Sequence, residues 1–202
     1  MQSQIEEAKK AIYKVKIFKG KTAIILGSGL GTFSDAVNNK NSISYSEIPN
    51  YPKSKVPGHS GELVIGEIYG KEIIIARGRS HCYEGYSKEK VTFPVHLFKS
   101  MGVENIIITN SSGSLKIENE PGTLVAVDGH LDCTFQDGTS DPDLVSNNKF
   151  YSKKLFSLAK KIAKKNGIYL KEGIYCWTFG PMYETPSEIK YLQSWNGTSV
   201  GM

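Results

Sequence analysis

The sequence predicts an α/β fold built on a largely buried sheet, and three observations carry that expectation. Short apolar runs, TAIIL at 22–26 and NIIIT at 105–109, end at loops of small residues. Buried strands whose ends face a ligand have this pattern. Segments of helical periodicity alternate with the runs, as in a sheet covered by helices. The 202 residues carry no internal repeat or low-complexity tract, so one domain spanning 1–202 is expected, with room for a sizeable core.

The elements follow in order. Ile5, Ala8, Ile12 and Val15 recur at helical spacing and predict an amphipathic first helix. The run 22–26 reads as a buried strand opening at Gly27. A polar, Asn-rich connection follows, and residues 45–61, rich in Pro, Gly and Ser, read as a long ordered loop, a type that is often functional. Residues 62–69 and 72–76 predict a hairpin turning at Gly70-Lys71. Residues 91–101 read as a helix stopped by Gly102, despite Pro94.

Residues 105–109 form a second buried strand, and 123–127 a further one. Residues 152–165 predict a helix with Leu155, Phe156, Leu158, Ala159, Ile162 and Ala163 on its buried side. Residues 172–179 return to a strand. Thr185-Pro186-Ser187-Glu188 is a strong helix start, with Thr as cap, Pro at the first helical position and Glu three residues beyond the cap.

Composition narrows the function classes. Charged residues make up 22% and the net charge is +5, ordinary values for a globular protein. Lys149, Lys153, Lys154, Lys160, Lys161, Lys164 and Lys165 crowd one segment. Clustered lysines on a helix of apolar periodicity usually form its solvated face, so that reading is favoured over a nucleic-acid or phospholipid patch. Neither a nucleic acid nor a membrane is expected as a partner. Cys82, Cys133 and Cys176 are odd in number and in no metal spacing, which points to a reducing compartment. The first ten residues hold no apolar core of a signal peptide, and no stretch approaches the ~20 apolar residues that span a bilayer. A cytoplasmic protein is expected.

Four strand-end loops carry the candidate chemistry. Gly27-Ser28-Gly29-Leu30-Gly31 offers backbone N–H groups and a hydroxyl to an anion, or simply makes a tight turn. Its spacing matches neither a dinucleotide fingerprint nor a Walker loop. In the run 77–86, Arg79 and His81 stand two apart and present donors on one side of an extended chain, which suits an oxyanion. Tyr83 and Glu84 follow at once. Cys82 beside them reads as a small packed residue rather than a nucleophile. Asn110-Ser111-Ser112-Gly113 adds small side chains and backbone donors. In Phe179-Gly180-Pro181-Met182-Tyr183-Glu184, Glu184 either complements a helix dipole or accepts hydrogen bonds from a planar ligand against which Tyr183 packs. Together the loops suit a ligand with a phosphate-like end and a planar, hydrogen-bonding end.

The segments GSGLG (27–31), YSEIPNYPKSKVPGHSGEL (45–63), RSHCYEGY (79–86), VTFPVHLFKSMGV (91–103), ITNSSG (108–113), GPMYETPSEI (180–189) and VGM (200–202) resemble, in order, the trimeric purine nucleoside phosphorylase family. The resemblance implies a three-layer α/β fold with a central mixed sheet flanked by helices, missing its last elements. It implies phosphorolysis of inosine- and guanosine-type nucleosides to free base and ribose 1-phosphate, and a homotrimer when complete.

By the same resemblance, Ser28, His59, Arg79, His81 and Ser111 hold phosphate. Tyr83 and Met202 contact ribose, while Tyr183, Glu184, Val200 and Gly201 bind the base. His81 and Glu184 are the candidate catalytic residues. No metal or organic cofactor is implied, inorganic phosphate being a co-substrate. The chemistry is consistent: a held phosphate both stabilises and captures an oxocarbenium-like sugar, and donors stabilise the departing purine.

The sequence also departs from the family. The family's Ser-Thr stretch, its leaving-base Asn and a sugar-contacting His follow V-G-M, and here they are absent. Its Asn-Ala-Ala-Gly-Gly loop is Asn110-Ser111-Ser112-Gly113-Ser114, and residues 129–151 lack its Met-Ser-x-Ala-Tyr-Asp motif. Phe150 or Tyr151 is the candidate replacement for the aromatic residue that this motif contributes to a neighbouring subunit. The competing functional reading is a truncated, inactive homologue that binds phosphate, nucleoside or a partner subunit. A third, a methylthioadenosine phosphorylase, is disfavoured by Glu184, because an aminopurine lacks the N1–H a carboxylate accepts.

Overall fold

The computed structural model describes residues 1–53, 61–136, 138, 141–142, 144–145 and 150–202. Its contacts group the chain into two compact units, Met1–Ser111 and Ser112–Met202. Each contains a five-stranded mixed sheet. The α/β architecture of mixed sheet flanked by helices is as the sequence predicts, with the strands divided between two sheets.

In the first unit, α1 (Gln2–Val15) precedes β1 (Thr22–Leu26), β2 (Asn38–Ser44), β3 (Glu62–Ile68), β4 (Lys71–Arg77), α2 (Lys88–Ser100) and β5 (Asn105–Ile108). The sheet order is β2-β3-β4-β1-β5, with β1 parallel to both β4 and β5 and the β2-β3-β4 meander antiparallel. Strand alternation splits the core in two. Ala23 and Ile25 of β1, Ile74 and Ala76 of β4, and Leu63 and Ile65 of β3 join Ile5, Ala8 and Ile12 of α1 and Phe93, Leu97 and Phe98 of α2. The intervening Ile24, Leu26, Ile73, Ile75 and Val64 form the opposite cluster with Val37.

The predicted hairpin is present, with its turn at Tyr69-Gly70 and both φ angles positive (49° and 69°). Such a turn matches the twist of the strands it joins. Helix α2 starts three residues earlier than predicted because the Ser87 hydroxyl accepts from the Lys90 N–H and caps it. The Asn-rich connection is instead the edge strand β2, whose only buried residue is Ile43. Pairing with β3 overrides its poor strand propensity.

The second unit holds β6 (Gly113–Ser114), β7 (Leu124–Asp132), β8 (Leu144–Val145), α3 (Lys153–Lys165), β9 (Leu170–Trp177), α4 (Pro186–Ser194) and β10 (Ser199–Gly201), in sheet order β6-β10-β9-β7-β8. β9 runs parallel to β7 and β10. Leu115, Leu131, Cys133, Cys176, Leu192 and Val200 make its core, against which Ile189, Tyr191 and Trp195 of α4 and its C-terminus pack. The capping box predicted at Thr185 forms: Glu188 N donates to Thr185 Oγ1 at 3.3 Å, and Thr185 N to Glu188 Oε2 at 2.7 Å.

Helix α3 forms where the sequence predicts it, but the side expected to be buried is largely uncovered. Only Ala163 of its apolar face is buried, while Leu158 and Ile162 are 48% and 50% exposed. Among the described residues, no helix is long and apolar enough to cross a membrane.

Candidate active site

In the first unit, parallel strands β1, β4 and β5 send their C-terminal loops to one edge of the sheet. Gly27 follows β1, and its N–H donates to Thr109 Oγ1 at 3.1 Å. A Cβ there would sit 2.6 Å from Asn110 Cα and 3.0 Å from an Arg79 guanidinium nitrogen, so only glycine admits this approach. Ser111 Oγ then donates to the Ser28 carbonyl at 2.6 Å, tying the two small-residue loops together. Ser28, Arg79 and Ser111, singled out separately in the sequence, therefore stand around one glycine-lined crossing.

The third loop holds the polar cluster. His81 is buried, and its backbone N–H donates to Glu84 Oε1 at 2.7 Å while Nδ1 lies 3.3 Å from the same oxygen. A carboxylate only accepts, so Nδ1 carries the proton in this contact. The Tyr83 ring stacks on His81 with centroids 4.8 Å apart. Burial raises the Tyr83 phenol pKa, reinforced by Glu84 and opposed by Arg79. Burial likewise raises the Cys82 thiol above its ordinary value, Lys88 opposing. A protonated thiol is a poor nucleophile, in line with the packing role expected for Cys82. Arg77, one step back on β4, is held instead by Glu62 at 2.6 Å. His59 lies outside the described residues.

The second unit holds the remaining candidates at the ends of β9 and β10. Glu184 Oε1 accepts a 2.8 Å hydrogen bond from Thr178 Oγ1, and Thr178 N donates to the Gly201 carbonyl at 2.8 Å. Gly180 has φ +74°, and a Cβ on it would lie 2.3 Å from Met202 Sδ, so Met202 packs directly on this glycine. Glu184, Gly201 and Met202 are thus brought together. Tyr183 projects into solvent at 90% exposure. The Val200 side chain is buried in the core of the unit, and its backbone lies within the sheet, opposite Gly113 on one side and Cys176 on the other.

Thr178 lies outside the sequence-based candidates: it follows β9, LKEGIYCW, and nothing local signals that its hydroxyl meets a carboxylate. Glu84 is among the residues of the Arg79–Tyr86 run, and only the fold shows the His81 contact that gives it a role. Phe150 and Tyr151 lie beside His130, whose Nδ1 is 2.8 Å from the Tyr151 hydroxyl and whose ring meets Phe150 edge-on at 5.9 Å.

Known proteins resemble the chain over nearly its whole length. The family model described as the phosphorylase superfamily matches residues 21–202. Purine nucleoside phosphorylase 1 of Geobacillus stearothermophilus is 41% identical over 189 residues, covering 89% of this chain and 68% of the relative. The Bacillus subtilis protein of the same name is 40% identical over 212 residues, covering 100% and 77%. Among solved structures, isoform 2 of Schistosoma mansoni purine nucleoside phosphorylase, in complex with cytosine and ribose-1-phosphate, superposes with a TM-score of 0.86 at 32% identity, covering 99% of this chain and 74% of that one. The chain belongs to the phosphorylase superfamily and, within it, to the purine nucleoside phosphorylases.

Proposed function

We propose that this protein cleaves purine nucleosides with inorganic phosphate, releasing the free base and ribose 1-phosphate. The observation that carries the reading is the crossing of the Gly27 and Asn110 loops beside Arg79, a set of anion donors at three strand ends. Ser28, Arg79, His81 and Ser111 take the phosphate, with His59 assigned by resemblance. Tyr83 and Met202 contact the ribose. Tyr183, Glu184, Val200 and Gly201 take the base.

In this reading the cationic Arg79 and the histidine donors fix the phosphate as nucleophile. Its negative charge offsets the positive charge that develops on the sugar as the glycosidic bond breaks. Glu84 orients His81 through Nδ1. Glu184 accepts from the N1–H of a 6-oxopurine, so inosine and guanosine are the preferred substrates. Neither metal nor organic cofactor takes part. The protein works in the cytoplasm as a homotrimer. Membership of the phosphorylases favours an enzyme over an inactive binding homologue.

The test is to incubate the chain with inosine and phosphate and follow hypoxanthine. Phosphate-dependent release is expected, and Arg79→Ala should raise the KM for phosphate by roughly ten- to a hundredfold, the effect of losing a charge-assisted contact. No hypoxanthine from the unaltered chain, or adenosine cleaved much faster than inosine, refutes the proposal.

A further inference from the structure

We propose that Thr178 is a positioning residue that sets the Glu184 carboxylate for 6-oxopurines. This rests on the reading of Glu184 as the base-binding carboxylate.

Thr178 follows the last residue of β9, and its hydroxyl has two acceptors in range. Glu184 Oε1 is at 2.8 Å and the Gly201 carbonyl at 3.2 Å. A hydroxyl has one proton to give. The Gly201 carbonyl already accepts the Thr178 backbone N–H at 2.8 Å. The shorter contact to the charged acceptor therefore takes the proton.

The consequence is a bridge. The backbone of Thr178 is locked to β10 at Gly201, next to Met202, and its side chain is locked to Glu184 six residues later. Glu184 stands on the loop before α4. Its main chain is held next to the capped Thr185, but nothing in that cap fixes the carboxylate itself. The Thr178 hydroxyl supplies that restraint. It occupies Oε1 and leaves Oε2 to accept from a ring N–H.

A carboxylate held in this way discriminates by chemistry. Hypoxanthine and guanine present an N1–H donor, whereas adenine presents a bare N1 lone pair. A carboxylate free to swing away penalises adenine little, but a fixed one keeps its lone pairs opposed to N1 and its geometry matched to N1–H.

The experiment is calorimetric titration of hypoxanthine and adenine into the full chain and into T178V and T178S, with thermal melts of all three. T178V keeps the shape and removes the hydroxyl. T178S keeps the hydroxyl. T178V should bind hypoxanthine about tenfold more weakly, the size of one lost charge-assisted hydrogen bond, while adenine binds no more weakly than before and gains from the released carboxylate. T178S should stay near the unaltered protein. Equal hypoxanthine affinity in T178V overturns the proposal and leaves the base-binding role of Glu184 intact. Parallel loss of both bases with a lowered melting temperature overturns it as well, because a merely structural role predicts that result. If the unaltered chain binds hypoxanthine no better than adenine, the reading of Glu184 fails and the inference falls with it.

Discussion

His130 shows how one half-buried side chain couples the fold to pH. On β7 it pairs with the Tyr151 hydroxyl and lies edge-on to Phe150. Burial lowers its pKa from the ordinary 6.5, with Asp132 acting in the opposite direction. Between the lowered folded value and 6.5, the unfolded chain binds a proton that the folded chain refuses. Stability therefore rises with pH across that window and is lost as pH falls through it. The melting temperature should drop on acidification from pH 7.5 to 5, and His130→Gln should flatten the slope. An identical slope in the variant would show that other groups set the dependence. The same residue-scale logic explains Gly27: the two loops cross there because no side chain stands where Asn110 and Arg79 approach.

At the scale of elements, α2 and α3 have the same length and contrasting surroundings. Leu97 of α2 is fully buried between α1 and the sheet, while Leu158 of α3 is 48% exposed. Leu97→Ala should cost about 2–5 kcal/mol in urea unfolding, as large-to-small core changes do. Leu158→Ala should stay within about 1 kcal/mol. Comparable losses would mean that α3 is covered in solution. The contrast also marks what the sequence could disclose. Periodicity identified the apolar faces of both α1 and α3, since it reports which residues share a face. Whether anything covers that face is a tertiary fact: Ile5, Ala8 and Ile12 of α1 are covered, and of α3 only Ala163 is. Strand β2 is not legible in its sequence, NNKNSIS, because it carries a single buried apolar residue and takes its shape from β3. The strand-end loops were legible, because glycines and small polar residues after apolar runs are a local signal. The Thr178–Glu184 bond was not, since it depends on a hydroxyl and a carboxylate meeting across a turn.

At the scale of the whole molecule, apolar surface remains in solvent at several places. Ile107 and Ile108 on the edge strand β5 are 46% and 60% exposed, and Leu158 and Ile162 lie on the outer face of α3. An unpaired edge strand with apolar side chains invites pairing, and exposed apolar faces drive association. The net charge of +5 opposes it only weakly at physiological salt. Two outcomes of association differ in kind. Head-to-tail contacts that close give a ring of fixed size, whereas contacts that do not close grow without limit. The trimer proposed above is the closed case. Sedimentation equilibrium should give about three times the 22.3-kDa chain mass, constant across micromolar concentrations. A mass that climbs with concentration would overturn the closed trimer and mark open association. In that event Ile108→Lys, which charges the edge of β5, should bring the mass down if β5 is the sticking surface, and Leu158→Lys should do so if α3 is. A mass of one chain at all concentrations would overturn the trimer outright and show that these exposed residues are tolerated singly.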